Sequence, residues 1–294
     1  MRCLHILAAL IAVVVASNFL LSSDASLTYE LLAPEFRTST PRRIIVPLPQ
    51  MGYDHTEVSI PWKLLTDIGH VVTFATPDGT PSGGADPHVL SQDCWGFLGR
   101  FMRHVPGSVD AYHEMIASTA YHNPIAIDKI ISANYDALLI PGGHYPGVTS
   151  LLTDRYLQEV VAPAFFHKPH KVVGAICHGV LVLSRGRLLK GVRTTIVPVF
   201  MEAPAAFATK YLAGLAPEDY QLSTTFPHYT ADELIAAKAI YERGPLDFIA
   251  VIAPGTPTRH AHTFLVEDGN YVSARFWGDA AAYGLRIAKK LEEL

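Results

Sequence analysis

The feature that most constrains the fold is an apolar stretch, residues 172–180, that is interrupted abruptly by a cysteine. Its β-branched residues predict a buried strand, and the residues after Cys177 favour a helix. Small residues, Ala175 and Gly179, flank the cysteine. Strand, small-residue turn and helix in this order are typical of a nucleophile elbow. We therefore predict that Cys177 lies at a sharp turn, where the helix N-terminus favours its thiolate. The alternative is a buried structural cysteine.

Predicted strands and helices alternate along much of the chain. Segments 43–48 and 70–75 suit short buried strands, and 58–68 suits a helix with Pro61 in its first turn. A strand, a helix and a strand in this order predict parallel pairing of the two strands. The alternation continues with predicted strands at 135–140, 171–176 and 193–199 and helices at 149–161 and 178–189. We therefore expect an α/β fold with a doubly wound, mostly parallel sheet and helices on both faces.

Two parts of the chain depart from this alternation. Residues 85–133, with a predicted helix near 109–118, are interpreted as an insertion that packs over one edge of the sheet as a cap beside the active site. Nearer the C-terminus, a turn at 268–270 predicts a β-hairpin between 262–266 and 271–276. The remaining predicted elements are helices at 231–242 and 280–294 and a strand at 248–252. Since composition does not change after residue 43, we expect one domain over 43–294.

The first 25 residues do not belong to the predicted domain. An uninterrupted apolar run from Ile6 to Ala16 follows Arg2 and has the length of a signal-peptide core. We expect export into the secretory pathway or the periplasm. The alternative is an uncleaved membrane anchor, for which the wider apolar stretch is barely long enough. Residues 26–42 are then a linker.

Charge and cysteine content argue against several classes of protein. A net charge of −4 without a run of Lys or Arg argues against nucleic-acid binding. Three cysteines, one of them in the leader, are too few for a disulfide scaffold, and Cys94 is interpreted as a packing residue. The sequence lacks the phosphate-binding glycine motifs, and its 14 histidines show no tight ligand spacing. We expect no cofactor and no metal, and we expect a homodimer.

Three predicted loops meet at the carboxyl edge of the sheet. Cys177 and His178 end one strand, Glu57 follows the first strand, and Gly142 with Gly143 follows another. A thiolate attacks carbonyl carbon, a nearby carboxyl group moves protons, and backbone N–H groups hold an oxyanion. Each residue alone also has a structural explanation: helix initiation for the glutamate, a tight turn for the glycines, packing for the histidine. Their shared position favours an active site.

A resemblance to a known family rests on three phrases: TEVSIPWKLLTDIGHVVTFATPDG (56–79), YDALLIPGG (135–143) and AICHG (175–179). They are similar to the ThiJ/PfpI superfamily, and the likeness extends from residue 43 to the C-terminus. It implies a flavodoxin-like fold related to class I glutamine amidotransferases. The first phrase and the inserted segment look most like the glyoxalase III and chaperone branch.

The resemblance implies roles for particular residues. In that branch a glutamate, the elbow cysteine and the histidine after it carry the activity, and here these are Glu57, Cys177 and His178. A further acid, after the strand that follows the elbow helix, orients the histidine. Its best match is Glu202, within Phe-Met-Glu-Ala, where the branch usually has aspartate.

The implied activity is cofactor-independent conversion of a 2-oxoaldehyde such as methylglyoxal to a 2-hydroxy acid such as D-lactate. The substrate is then a small carbonyl compound. Two alternatives stay open: a non-catalytic holding chaperone related to stress, and a deglycase, amidase or peptidase of the same superfamily. A glutaminase is disfavoured, because residues 259–263 lack the late His-x-Glu pair which that class needs.

Overall fold

The computed structural model describes residues 38–91, 105, 107–199, 202, 229–245 and 262–294. The predicted leader at 1–25, most of the predicted linker, Cys94 and the predicted strand at 248–252 lie outside these residues. Within the described ranges, no helix has both the length and the apolar character that crossing a membrane requires.

A seven-stranded sheet forms the centre of the fold. Its strands are β1 (Arg43–Pro47), β2 (Val71–Thr76), β3 (Ile125–Ala126), β4 (Ala137–Ile140), β5 (Val172–Ile176), β8 (Leu265–Asp268) and β9 (Tyr271–Ala274). Two further strands, β6 (Arg193–Thr194) and β7 (Ile240–Tyr241), form a separate pair. The order across the sheet is β3-β2-β1-β4-β5-β9-β8, and each neighbouring pair is parallel except β9-β8. The predicted α/β class with a mostly parallel sheet is confirmed.

Helices cover both faces of this sheet. They are α1 (His55–Ile68), α2 (Pro87–Ser91), α3 (Ser108–Ile116), α4 (Thr119–His122), α5 (Thr149–Leu152), α6 (Ala162–Phe166), α7 (Val180–Arg185), α8 (Thr230–Ala236) and α9 (Ala280–Glu292). Helices α1 and α9 pack against each other, and α6 packs on β4 and β5. Central strands are therefore buried on both sides, and this explains their continuous apolar sequence; Ile44, Leu138 and Val173 have no exposed surface.

The chain changes the direction in which it adds strands between β1 and β4. From β1 it adds β2 and β3 on one side, then returns to place β4 and β5 on the other. Such a reversal leaves a crevice at the carboxyl ends of the two strands where it occurs. The start of α1, the turn after β4 and the elbow after β5 all lie at this edge of the sheet.

Helix α1 begins three residues earlier than the sequence predicted. Asp54 caps it, because its Oδ1 accepts hydrogen bonds from the N–H groups of Thr56 (2.8 Å) and Glu57 (3.2 Å). The prediction that Pro61 lies in the first turn was therefore wrong, since it lies inside the helix. The earlier start has a functional consequence: Glu57 belongs to the first helical turn, at the edge of the crevice.

The segments around the elbow also differ from prediction. The expected helix at 178–189 is a 3₁₀ turn, Cys177–Gly179, followed by the short α7, which ends at Arg185. The expected helix at 149–161 is broken after α5, because Asp154 Oδ1 accepts from the Leu157 N–H at 2.7 Å and starts a new helical segment. That segment contains a π-helical stretch and continues as α6 to Phe166.

Two elements predicted after the elbow are much shorter in the structure. The expected strand at 193–199 is only β6, which pairs with β7 and does not join the main sheet. Its pairing with β7 ends at Thr194, and on the opposite edge the next residue, Thr195, donates its N–H to Ser273 Oγ at 3.0 Å. The expected helix at 231–242 ends as α8 at Ala236, and its last part forms β7.

Part of the predicted insertion belongs to the sheet. Strand β3 pairs in parallel with β2, so the last part of the predicted insertion adds a strand to the edge of the sheet that it was expected to pack over. Helix α3 from the same segment packs on α1, where Ser59 Oγ donates to the Ser108 carbonyl at 3.1 Å and Lys63 Nζ lies 3.1 Å from Glu114. The described part of the segment therefore extends the sheet and covers the helix that carries Glu57.

Asp279→Asn is expected to lower the free energy of unfolding by about 3–5 kcal/mol. Arg275 and Asp279 are fully buried and joined by two hydrogen bonds, Nε to Oδ2 at 2.8 Å and Nη2 to Oδ1 at 2.9 Å. The substitution leaves the guanidinium buried without its counter-charge. Urea unfolding followed by circular dichroism measures the loss.

Glu159→Gln is the control, because it removes the carboxylate from a second paired arginine. Arg155 Nη2 donates to Glu159 Oε1 at 2.9 Å, but both side chains are largely exposed. The expected cost is below about 1 kcal/mol. Equal losses in the two variants would contradict the assignment of the Arg275–Asp279 pair as a buried structural ion pair.

Candidate active site

Cys177 lies at a strained turn directly after β5. Its φ of 53° is in the left-handed region, which side-chain-bearing residues rarely adopt. The turn is also tight: a Cβ added at Gly179 would lie 2.4 Å from the Ile140 carbonyl oxygen and 2.5 Å from that of Pro141. The elbow therefore presses against the end of β4, and only glycine fits at residue 179. This packing fixes the backbone that carries the thiol.

A ring of hydrogen bonds holds Glu57 beside the elbow. The Gly142 N–H donates to Glu57 Oε2 at 3.0 Å, and the Gly142 carbonyl accepts from the Asp54 N–H at 3.1 Å. The Glu57 N–H in turn donates to Asp54 Oδ1 at 3.2 Å. The start of α1 and the turn after β4 are thus joined through main-chain and side-chain groups, and the carboxyl group has one defined position.

Gly142 is the point at which the three loops meet. A Cβ added there would lie 2.7 Å from the His178 nitrogen, 2.8 Å from Cys177 Cβ and 2.9 Å from Glu57 Oε2. The absence of a side chain is therefore what lets the carboxyl group approach the elbow. The structure corrects the expected role of this residue, because its N–H is bound to Glu57 and is not directed at an oxyanion.

Gly143 is shaped by the same close packing. Its φ is 147°, and an added Cβ would lie 2.7 Å from the Gly52 carbonyl oxygen. Among the residues that the structure describes, no acceptor is assigned to the Gly143 N–H. This N–H is consequently the donor in the glycine turn that suits an oxyanion.

His178 connects the thiol to a second acid. Its Nδ1 lies 3.2 Å from Cys177 Sγ, and its Nε2 lies 3.6 Å from Glu202 Oε1. The other oxygen of Glu202 accepts from both the N–H (3.1 Å) and the Oγ1 (3.0 Å) of Thr230. Glu202 is 5% exposed, so its carboxylate has a fixed place behind the imidazole. Cysteine, histidine and glutamate therefore lie in the order of a catalytic triad, with the 3.6 Å between His178 Nε2 and Glu202 Oε1 longer than a hydrogen bond.

Burial dominates the electrostatics around the thiol. It raises the pKa of the Cys177 thiol well above its ordinary value, and the carboxylates of Glu57 and Asp54 raise it further. It also raises the pKa of Glu57, with a second contribution from Asp54. The pKa of Asp54 itself is raised to about 7 by burial. Burial and the two carboxyl groups therefore oppose the expected preference for thiolate at the helix N-terminus, because they favour the neutral thiol.

His144 is a site residue that the sequence analysis did not identify. It follows the glycine turn, and its ring packs edge-on against His178 with centroids 4.8 Å apart. On its other side it contacts Trp277, at 6.5 Å between centroids. Burial lowers the pKa of His144 well below its ordinary value, and His178 adds to this, so the imidazole is neutral. Its position directly after Gly142-Gly143 was the available signal in the sequence.

Comparison with known families gives a direct match. The family described as ThiJ/PfpI family-like matches residues 48–243, which is more than half of the chain. The chain belongs to the ThiJ/PfpI family. The matched range contains each residue that the sequence analysis proposed for the site: Glu57, Gly142, Gly143, Cys177, His178 and Glu202.

Relatives of the chain include proteins from yeast and bacteria. An uncharacterized protein of Schizosaccharomyces pombe is 25% identical over 243 residues, which are 81% of this chain and 79% of the relative. The Escherichia coli protein named Protein/nucleic acid deglycase 2 is 34% identical over 112 residues, which are 38% of this chain and 61% of the relative.

Solved structures show the same fold. Rapid Encystment Protein 24 KDa from Francisella tularensis superposes with a TM-score of 0.58 at 15% identity, covering 85% of this chain and 99% of that one. A ThiJ/PfpI domain protein from Brachyspira murdochii gives 0.52 at 12% identity, covering 87% and 99% of the two chains. These likenesses confirm the flavodoxin-like α/β architecture implied by the sequence resemblance.

Asp54→Asn is expected to shift the ionisation of Cys177 to lower pH. Asparagine still caps α1 through its side-chain oxygen, but it removes a charge that raises the pKa of both Glu57 and Cys177. The rate of alkylation by iodoacetamide, followed on the Cys177 peptide by mass spectrometry from pH 6 to 10, measures the midpoint.

The control for this experiment is Asp67→Asn, a substitution of the same kind near the other end of α1, where the aspartate pairs with Lys63 at 3.1 Å. Its midpoint should equal that of the unmodified sequence. An unchanged or higher midpoint for Asp54→Asn, in a variant with normal circular dichroism, would contradict the electrostatic account of the site.

Proposed function

We propose that this chain is a cofactor-independent glyoxalase, which converts 2-oxoaldehydes such as methylglyoxal to 2-hydroxy acids. One observation carries the proposal: the Cys177 thiol has two separate proton-transfer groups. His178 lies 3.2 Å from the sulfur, and Glu57 is held nearby by the Gly142 N–H. Removing the thiol proton needs only one base. A second buried acid of raised pKa suits a reaction that also moves a proton between two carbon atoms of the substrate.

The first step is attack of the sulfur on the aldehyde carbon. The thiol proton passes to His178 Nδ1, and Glu202 stabilises the imidazolium from the opposite side of the ring. The carbonyl double bond opens as the S–C bond forms, and the oxygen takes up a proton to give a hemithioacetal. During attack, the Gly143 N–H is the donor suited to the developing oxyanion.

The second step is isomerisation. The Glu57 carboxylate removes the proton from the former aldehyde carbon while the neighbouring ketone oxygen takes up a proton, which gives an enediol. Glu57 then returns its proton to the neighbouring carbon, and the hydroxyl group on the sulfur-bearing carbon gives up its proton as its C=O double bond forms. The product is a thioester between Cys177 and the 2-hydroxy acid. One water molecule hydrolyses it, which releases the acid and restores the thiol. The raised pKa of Glu57 favours this role, since a base of higher pKa accepts a carbon-bound proton more readily.

A deglycase is the second candidate, supported by the Escherichia coli relative of that name. Both reactions begin with addition of a thiol to a carbonyl-derived group, so the same residues would serve both. The Cys177 side chain has no exposed surface, which favours a small molecule over a modified protein as the substrate. A holding chaperone is distinguished by a different result: its suppression of aggregation would survive the loss of Cys177.

Cys177→Ala is expected to reduce D-lactate formation from methylglyoxal to the rate without enzyme. Glu57→Gln should reduce kcat at least about 100-fold, which is the lower range for loss of a general acid–base group. Product is measured with a D-lactate-specific assay, and methylglyoxal consumption is followed in parallel. In Glu57→Gln, a circular dichroism spectrum equal to that of the unmodified chain shows that the variant is still folded.

Cys94→Ala is the matched control, because it removes a cysteine that the sequence analysis interpreted as a packing residue. It should retain the unmodified rate. Full turnover in Cys177→Ala would reject the proposal. Release of lysine or arginine from glycated peptides, without D-lactate formation from methylglyoxal, would favour the deglycase.

Glu202→Gln is expected to lower kcat at least tenfold with a smaller change in KM. The amide keeps the shape of the side chain but cannot stabilise an imidazolium or favour the same tautomer of His178. Glu233→Gln is the control. Glu233 lies on α8, and its Oε1 accepts a hydrogen bond from Arg185 Nε at 2.8 Å. Equal activity of both variants would remove Glu202 from the mechanism.

A further inference from the structure

Three potential metal ligands converge beside the elbow. The ligand atoms of His144, Cys177 and His178 all lie within 4.8 Å of one another. They come from two tightly packed loops, the turn after β4 and the elbow after β5. We propose that these three side chains bind a single Zn²⁺ ion, and that zinc and a carbonyl substrate compete for the Cys177 sulfur.

The chemistry of the ligands selects the metal. One sulfur and two imidazole nitrogens suit zinc, whereas magnesium and calcium prefer oxygen ligands. Two ligands of one zinc ion can be about 4 Å apart at most, given bonds of about 2.0–2.3 Å. The present spacing therefore needs a shift of roughly 1 Å. His144 is the half-buried member of the three, so the proposal assigns this movement to its side chain.

The surroundings of the cluster support a metal in two ways. Nε2 of His178 lies 3.6 Å from Glu202 Oε1, which is the carboxylate–histidine arrangement that commonly stands behind zinc ligands and leaves Nδ1 for the metal. The ring of His144 also packs edge-on against that of His178, with centroids 4.8 Å apart, which places its nitrogens beside the other two ligands. Binding would release the thiol proton, because zinc is bound by thiolate.

Occupancy of this site has a direct consequence for the thiol. A thiolate bound to zinc is less available to attack an electrophile, because its lone pair is shared with the metal. Three protein ligands leave the fourth position of a tetrahedral ion for water or another small ligand. Zinc would therefore act as a reversible blocker of Cys177. The inference concerns binding at the thiol and does not require that the glyoxalase proposal is correct.

The test is zinc binding by the full chain, with His144→Ala and His144→Asn as two independent variants. Isothermal titration with ZnCl₂ is expected to show one ion per chain. A thiolate-to-metal absorption band should appear with Co²⁺ in place of zinc. Zinc should also slow alkylation of Cys177 by iodoacetamide, whereas MgCl₂ should not. Both variants are expected to weaken zinc binding more than tenfold and to lose this protection, while keeping the free thiol.

His170→Ala is the control for binding by surface histidines, since His170 is exposed and lies before β5. It should bind zinc as the unmodified chain does. Glu202→Gln should weaken binding by about 10–100-fold, the usual effect of a partner behind a ligand. No zinc binding by the unmodified chain, or equal affinity in both His144 variants, would overturn the proposal. None of these readouts depends on turnover, so failure of the glyoxalase assay leaves the result interpretable.

Discussion

The hydrogen bond from the Gly142 N–H to Glu57 Oε2 is the interaction on which the site depends. It joins the turn after β4 to the first turn of α1 across the crevice between β4 and β1. Without a side chain at residue 142, the carboxyl group, the elbow backbone and the turn approach within ordinary contact distance. A methyl group at this position would separate them. The reversal of strand order thus provides the crevice, and one glycine determines how closely its walls approach.

Burial then decides what these groups can do. Asp54, Glu57 and Cys177 are acids within one nearly water-free region, so each additional negative charge there is costly. Backbone N–H groups offset part of this cost for the two carboxyl groups. Burial, together with the remaining repulsion, raises the pKa of all three groups. The proposed isomerisation requires such a group, because one residue must accept a proton from carbon and then release it again.

The thiol has different partners on its two sides. On one side is the carboxyl group of Glu57, and on the other is the imidazole of His178 with Glu202 behind it. The second side is also where His144 approaches, with its ring 4.8 Å from that of His178. The same imidazole that would take the thiol proton could therefore bind a metal together with the sulfur. Catalysis and zinc binding would compete because they use the same lone pairs.

The sequence by itself determined the α/β class, the parallel strands around the elbow and the position of Cys177 at its turn. Each of these follows from local patterns: continuous apolar runs, small residues at the turn, and a predicted helix after it. The sequence also proposed Glu57, His178 and Glu202. Only the tertiary structure shows their distances to the thiol and to each other, because these residues are far apart along the chain or depend on the elbow geometry.

The tertiary structure alone decided several other features. The early start of α1 follows from its cap by Asp54, and the pairing of β6 with β7 outside the main sheet is visible only in the structure. His144 belongs to the site because two loops pack against each other. Contacts between loops leave no repeating pattern of apolar residues in the sequence, so they cannot be predicted from it. Local pattern determined which elements form here. Long-range packing and burial decided which side chains meet and which protons they hold.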